Sequence, residues 1–203
     1  MNLFLKNKFF PVVVFLKKRF KSCSVRRNQE RYISYCIKKF IVKKFLKIAD
    51  ENISFGINDK GRQFLKNFRD FDFNVSHSNR YIAVIFSKYT KVGIDIEFLS
   101  NHRNTDAIAK KFFSTNENFW LHRLSSKKED FYILWTLKES ILKMNGEGIS
   151  CNGFMKYPFK FYDGKVYLMD SSSEIFFQTF IYNKHIISIC SSKKVSCIRL
   201  NIY

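Results

Sequence analysis

The stretch Val92-Gly93-Ile94-Asp95-Ile96-Glu97 constrains this chain more than any other. It is a short apolar run with two carboxylates set two residues apart. As a β-strand it places Asp95 and Glu97 on one face, because strand side chains alternate. Carboxylates held side by side repel, and desolvating them is costly unless a cation lies between them. The pair is therefore either two outward acids on a solvated edge strand, or half of a site for a hard cation such as Mg²⁺ or Mn²⁺.

Around this stretch the pattern predicts an α+β fold. A valine-rich strand is expected over 11–16. Apolar residues at helical spacing (Tyr32, Cys36, Phe40, Ile41, Phe45) predict a basic helix over 28–47. An extended piece at 52–56 precedes the turn Asn58-Asp59-Lys60-Gly61. Strands follow at 71–78, 81–86 and 91–97, then a helix at 104–113. Ser114 and Glu117 stand three residues apart, as in a capping box. A long helix over 128–145 ends at Gly146. The remainder reads as β: a hairpin of 159–162 and 165–169 about Asp163-Gly164, then strands at 174–182, 186–191 and 195–202.

Thirty-six basic against seventeen acidic residues give a net charge of +19, which favours an anionic partner. The excess is spread along the chain, so an ordinary solvated basic surface is equally consistent with it. A nucleic-acid-binding protein is the alternative this charge raises, together with 24 Phe and 10 Tyr. No helix-turn-helix, zinc, RRM or KH signature accompanies it. Five scattered cysteines without zinc spacing point to reduced thiols in a cytoplasmic compartment. No apolar run approaches the ~20 residues of a membrane span. The first acid is Glu30, so residues 1–27 are compatible with a targeting segment as well as with a first strand.

On the long helix, Trp135, Glu139 and Lys143 recur every four residues and share a face, with Leu134, Leu137, Ile141 and Leu142 on the apolar side. Alone, Glu139 and Lys143 could be a surface ion pair. Four blocks occur in order, however: Val75-Ser76-His77-Ser78; Gly93-Ile94-Asp95-Ile96-Glu97; Phe112-Phe113-Ser114 with Glu117; and Trp135-Thr136-Leu137-Lys138-Glu139-Ser140 with Lys143. Together they resemble the 4′-phosphopantetheinyl transferases, specifically the Sfp-type branch, over roughly residues 28–150.

The resemblance implies two pseudo-repeated α+β halves in one chain, divided here as 1–92 and 93–203, and a monomer. It implies a holo-[acyl-carrier-protein] synthase activity: transfer of 4′-phosphopantetheine from coenzyme A to a serine of an acyl or peptidyl carrier protein, with release of 3′,5′-ADP. Asp95, Glu97 and Glu139 would ligate Mg²⁺, with Mn²⁺ an alternative. Glu139 would also be the base and Lys143 would assist phosphoryl transfer. Lys138 would contact the coenzyme A diphosphate, and Ser76 and His77 its phosphates. Gly61-Arg62-Gln63 stands where the family has Gly-Lys-Pro at the nucleotide. Lys60, Arg62 and a residue of the 26–31 basic cluster would hold the ribose phosphate. The carriers are acidic, so the +19 charge would steer their approach. Phe112, Phe113 and Trp120 are either part of that docking face or core.

Overall fold

The computed structural model describes residues 12–17, 26–124, 127–163, 165–169, 174–194 and 198–202, with side chains for all of these except 12–17, 26–30, 44, 45 and 198–202. In chain order the elements are β1 (Val12–Lys17), α1 (Arg26–Leu46), β2 (Phe55–Ile57), β3 (Gln63–Leu65), β4 (Phe71–Ser78), β5 (Tyr81–Lys88) and β6 (Val92–Phe98). Then come α2 (Thr105–Phe112), α3 (Thr115–Arg123), α4 (Lys127–Asn145) and α5 (Cys151–Met155). The hairpin β7 (Phe159–Tyr162) and β8 (Lys165–Leu168), then β9 (Phe176–Tyr182), β10 (His185–Ser191) and β11 (Ile198–Ile202), complete the chain. The sequence reading matches these elements closely from β4 to β10. It missed β3 and the short α5. Its Gly164 and residues 195–197 lie outside the described residues, as do 1–11 and 18–25 of the segment weighed for targeting.

Two sheets dominate. One has the order β11-β1-β5-β4, the other β6-β10-β9. The last strand thus returns to pair in parallel with β1, across the expected division at residue 92. Strand periodicity decides where β5 buries its side chains. Ile82, Val84 and Phe86 pack under α1 with Ile41, Val42 and Phe73. Tyr81, Ala83 and Ile85 face Val92, Ile94, Ile96, Ile187 and Ile189 of the second sheet. That double burial explains why β5 reads as a continuous apolar run. On the other face of β6 and β10 lies α4, whose Phe131, Leu134, Leu137 and Ile141 anchor the third cluster.

The sheets are joined by an unusual seam. β6 is an edge strand of its sheet, so its alternate amides lack a strand partner. The side chains of β4 supply one. Asp72 Oδ2 accepts from Val92 N at 2.8 Å, Asn74 Oδ1 from Ile94 N at 3.2 Å, Ser76 Oγ from Ile96 N at 3.4 Å and Ser78 Oγ from Phe98 N at 2.9 Å. The period of two along β4 matches the period of two along β6. Arg62 braces the start of this seam: it grips Asp72 through Nη2 at 2.6 and 2.8 Å, and donates to the carbonyls of Val92 and Lys143.

Helix α4 lies almost directly on β6 at Gly93. A Cβ there would stand 1.9 Å from the Ser140 carbonyl oxygen and 2.9 Å from the Met144 amide nitrogen. The helix ends in a Schellman motif: Glu147 N donates to Leu142 O and Gly146 N to Lys143 O, with Gly146 at φ +67°. Gly93→Ala should therefore destabilise the protein by about 3 kcal/mol or more, because the methyl group meets backbone that cannot rotate away. Gly148→Ala, where a Cβ meets nothing within 4 Å, should be near neutral. Urea unfolding of the two variants checks this, and equal midpoints would refute the close approach.

Candidate active site

The seam and the helix bring three acids together. Strand β6 presents Asp95 and Glu97, and α4 presents Glu139 from above. One carboxylate oxygen from each lies within 4.8 Å of the others. Asp95 and Glu139 are buried and Glu97 half-buried. The edge-strand alternative, with both acids turned to water, does not hold. Ser76 Oγ donates to Asp95 Oδ1 at 2.7 Å, and Ser78 Oγ to Glu97 Oε2 at 3.4 Å. Asp95 Oδ2 is buried without a hydrogen-bond partner among the described residues.

Charges around the acids partly neutralise them. Lys143 Nζ lies 2.5 Å from Asp95 Oδ1, 3.3 Å from Glu139 Oε2 and 3.0 Å from Ser76 Oγ. Arg103 Nη1 is 3.4 Å from Glu97 Oε1. Burial, reinforced by the Asp95 carboxylate, pushes the Glu139 carboxyl up to about 7 against the pull of Lys143. Burial and Asp95 likewise raise Glu97, with Arg103 opposing. Burial alone would lower the Lys143 ammonium, but Asp95 and Glu139 outweigh it and hold it above its ordinary value.

Beside the acids opens a cleft of about 510 Å³, a size suited to a cofactor. Helix α1 contributes Arg31, Ser34 and Lys38 to its wall, the 58–62 turn Lys60, Gly61 and Arg62, and β4 His77. Lys143 forms part of the boundary with the acids. The turn is held by Asn58 Oδ1, which accepts from Lys60 N at 3.1 Å and Arg62 N at 2.8 Å, with Gly61 at φ +81°. Lys60, Gly61 and His77, expected at the coenzyme A phosphates, line this cleft. Lys38, Ser34 and Glu147 were missed. Arg31, Ser34 and Lys38 recur at three- and four-residue steps along α1, a helical stripe that the sequence does carry. Lys38 is 4% exposed beneath the rings of Phe55 and Phe73 and donates to Gln63 Oε1; burial lowers its ammonium.

Three expectations need correction. Lys138 does not face the cleft. It is fully buried on the far side of α4, paired with Glu117 at 2.7 Å and donating to the carbonyls of Phe154 and Tyr157. Glu117 in turn closes the capping box of α3 and accepts from Phe159 N. This pair ties α3, α4, α5 and β7 together, and its ammonium has no path to a diphosphate. Ser76 points into the seam toward Asp95 and Lys143 and orients the acid cluster. Arg62 lines the cleft, but its guanidinium is committed to Asp72 and two carbonyls, so it braces the wall instead of offering a free cation. Phe113 is 2% exposed against Trp135 and Phe131, so it belongs to the core and not to a docking face. Phe112 and Trp120 pack against the same cluster.

An acid trio beside a basic cleft is the layout of a metal-assisted phosphoryl-transfer site. Residues 91–190 match the model of the 4′-phosphopantetheinyl transferase superfamily. The segment carries all three acids and Lys143. Among its relatives, the 4′-phosphopantetheinyl transferase gsp of Aneurinibacillus migulanus is 39% identical over 117 residues, 56% of this chain and 46% of that protein. The 4′-phosphopantetheinyl transferase Sfp of Bacillus subtilis (strain 168) is 32% identical over 114 residues, 54% and 49% of the two chains. The chain spans about half the length of the curated relatives it matches. A holo-(acyl-carrier-protein) synthase from Bacillus anthracis, solved in complex with CoA (3′,5′-ADP), has 21% identity and a TM-score of 0.44 over 50% of this chain and 93% of its own.

Two predictions follow from the electrostatics. Lys138→Met leaves the Glu117 carboxylate buried without its cation and should cost about 3–5 kcal/mol in urea unfolding; a loss within error of zero would contradict the structural role. The second concerns pH. With divalent cations chelated, Glu139 protonates near 7 when folded, against an ordinary value of 4.5. The folded state therefore holds the extra proton in between. The stability this gives is fully present below about 4.5 and is lost as pH rises through about 7. In EDTA, the Tm of the wild-type protein should fall across that window relative to Glu139→Gln. Parallel curves would remove Glu139 as the cause.

Proposed function

We propose that the protein transfers the 4′-phosphopantetheine group of coenzyme A to a serine hydroxyl of an acyl or peptidyl carrier protein, releasing 3′,5′-ADP. The observation that carries this reading is the meeting of Asp95, Glu97, Glu139 and Lys143 at the edge of a cleft lined by Arg31, Lys38, Lys60 and His77. Its relatives bear the name of that activity. The orphaned Asp95 Oδ2 and the all-oxygen donor set fit Mg²⁺, or Mn²⁺, held by Asp95, Glu97 and Glu139. Bound there, the ion would supply positive charge to the diphosphate during transfer.

The chain's own residues divide the remaining work. Lys60 and Arg31 offer positive charge to the nucleotide phosphates in the cleft, with His77 beside them in its wall. Glu139 would accept the proton of the attacking serine, directly or through a water. The serine oxygen then bonds to the phosphorus of the phosphopantetheine, the bridging P–O bond breaks, and the electron pair leaves on the phosphate of 3′,5′-ADP. Lys143 can neutralise that departing charge from the cleft wall. Asp95, Glu97 and Glu139 come from one chain, so this site requires no second copy and we read the enzyme as a monomer. We read residues 1–92 and 93–203 as its two halves, with β11 crossing back to the sheet of the first. Among the described residues Cys36, Cys151 and Cys190 are free thiols, in accord with a cytoplasmic setting. Among the described residues, no helix is long and apolar enough to cross a membrane. The nucleic-acid alternative does not account for this site, because a protein that only binds a phosphate backbone has no need of three converging carboxylates.

Incubation with coenzyme A, Mg²⁺ and an apo carrier should add one phosphopantetheine mass to the carrier. Asp95→Ala should abolish the gain, and Glu139→Gln should slow it roughly 10²–10⁴-fold. No shift across several acidic carriers, with folded enzyme, would sink the proposal.

A further inference from the structure

The position of Lys143 has a consequence for how the site is loaded. Its ammonium does not stand apart from the acids. It contacts Asp95 Oδ1 at 2.5 Å and Glu139 Oε2 at 3.3 Å, and Ser76 Oγ fixes it from a third side at 3.0 Å. Asp95 and Glu139 are two of the three proposed metal ligands. A divalent ion and an ammonium sharing these oxygens would sit roughly 3–4 Å apart, where their repulsion is severe in a partly buried site. An ammonium on Asp95 Oδ1 and Glu139 Oε2 therefore weakens the hold of these carboxylates on a divalent ion. The lysine also has somewhere to go. Its side chain is 25% exposed and lines the cleft, next to Gly146 and Glu147, on the side proposed for the nucleotide. A flexible four-carbon stem can swing from the carboxylates to an anion in that cleft.

From this geometry we infer that Lys143 is the internal counter-cation of the acid cluster, and that it exchanges place with the metal ion when coenzyme A enters. This rests on the metal and coenzyme A reading above. In the absence of coenzyme A the lysine competes with the metal. A diphosphate in the cleft draws the ammonium off the acids and leaves the oxygens to the ion. Metal and coenzyme A therefore bind with positive coupling, and part of that coupling runs through this side chain, in addition to the direct attraction between ion and diphosphate. By linkage the effect is reciprocal: each ligand tightens the other by the same factor. Arg103 is kept out of the exchange: it pairs with Glu97 Oε1 at 3.4 Å and does not line the cleft.

The test is Mn²⁺ binding, read from the free-ion signal in electron paramagnetic resonance, for the wild-type protein and Lys143→Met, each with and without saturating coenzyme A. Contributions from Mn²⁺ bound to coenzyme A alone are subtracted. Without coenzyme A, the variant should bind Mn²⁺ roughly tenfold tighter or more, because the competing charge is gone. Coenzyme A should tighten Mn²⁺ by a larger factor in the wild-type protein than in the variant, where only the direct attraction between ion and diphosphate remains. Lys143→Gln, which keeps a donor for Ser76 but no charge, should behave like Lys143→Met and guards against a folding defect in the latter. Unchanged or weaker Mn²⁺ binding in folded variants overturns the exchange while leaving the metal site standing. No Mn²⁺ binding by any of the proteins, with or without coenzyme A, overturns the metal reading itself. The wild-type protein gives an independent readout. The ¹⁵Nζ resonance absent from Lys143→Met should shift on adding Mg²⁺ and coenzyme A together; a resonance that stays fixed counts against the exchange.

Discussion

Four backbone amides along the free edge of β6 hold the candidate site together. Each finds its acceptor on an alternate side chain of β4: Asp72, Asn74, Ser76 and Ser78. Left unpaired, a buried amide costs about 1–3 kcal/mol, so the ladder fixes the offset between the strands as strictly as backbone pairing would. A shift of one residue along either strand would put Phe73, Val75 and His77 against the amides instead, and none of the four could be satisfied by carboxylate, amide or hydroxyl in the same way. The ladder also sets the chemistry. Ser76 accepts from Ile96 N and donates to Asp95; Ser78 accepts from Phe98 N and donates to Glu97. Each serine thus connects strand register to carboxylate orientation.

The same seam separates unlike charges. On the α4 face of β6 lie Asp95, Glu97 and Glu139. Within the cleft, between α1 and β4, lie Arg31, Lys38, Lys60 and His77. Lys143 touches both sides, and Arg62 locks the end of the wall by gripping Asp72 and the carbonyls of Val92 and Lys143. An anion entering the cleft is met by basic groups first and reaches the acids only at its far edge. This arrangement suits a ligand that carries several phosphates along its length, one of which must come to rest against a cation held by carboxylates.

Much of this was legible in the chain itself. The spacing of Asp95 and Glu97 placed both on one strand face, and the four-residue repeat of Glu139 and Lys143 placed both on one helix face. That the strand and helix faces meet required the packing at Gly93, where only the absence of a side chain lets the two backbones touch. The capping box at Ser114 and Glu117 was equally plain, but its second role was not. Nothing local to Glu117 announces that its other oxygen will neutralise a lysine on a different helix. Ser76 was misread for a related reason: a serine beside an exposed histidine looks like a ligand contact, whereas alternation sends the two side chains to opposite sides of β4. Arg62 carried the expected charge in the expected turn, and only the tertiary partner Asp72 reveals that the charge is already matched.

The contrast between Lys138 and Lys143 shows how far helical geometry alone could have gone. The two lie five residues apart, about 140° around the helix. Glu139 and Lys143, four apart, differ by only about 40°. Whatever faces Asp95 from residue 139 must therefore also be faced by residue 143, and residue 138 must look elsewhere. What lies elsewhere is the core of the C-terminal half, where Lys138 has no exposure and an acid to itself. A lysine in that setting is fixed by its partner, because moving would leave both charges desolvated and unpaired. Lys143 instead shares two acids, keeps a quarter of its side chain in solvent and borders a cleft. The two lysines have the same ammonium and the same helix under them. The one with a second place to go is the one that can take part in chemistry.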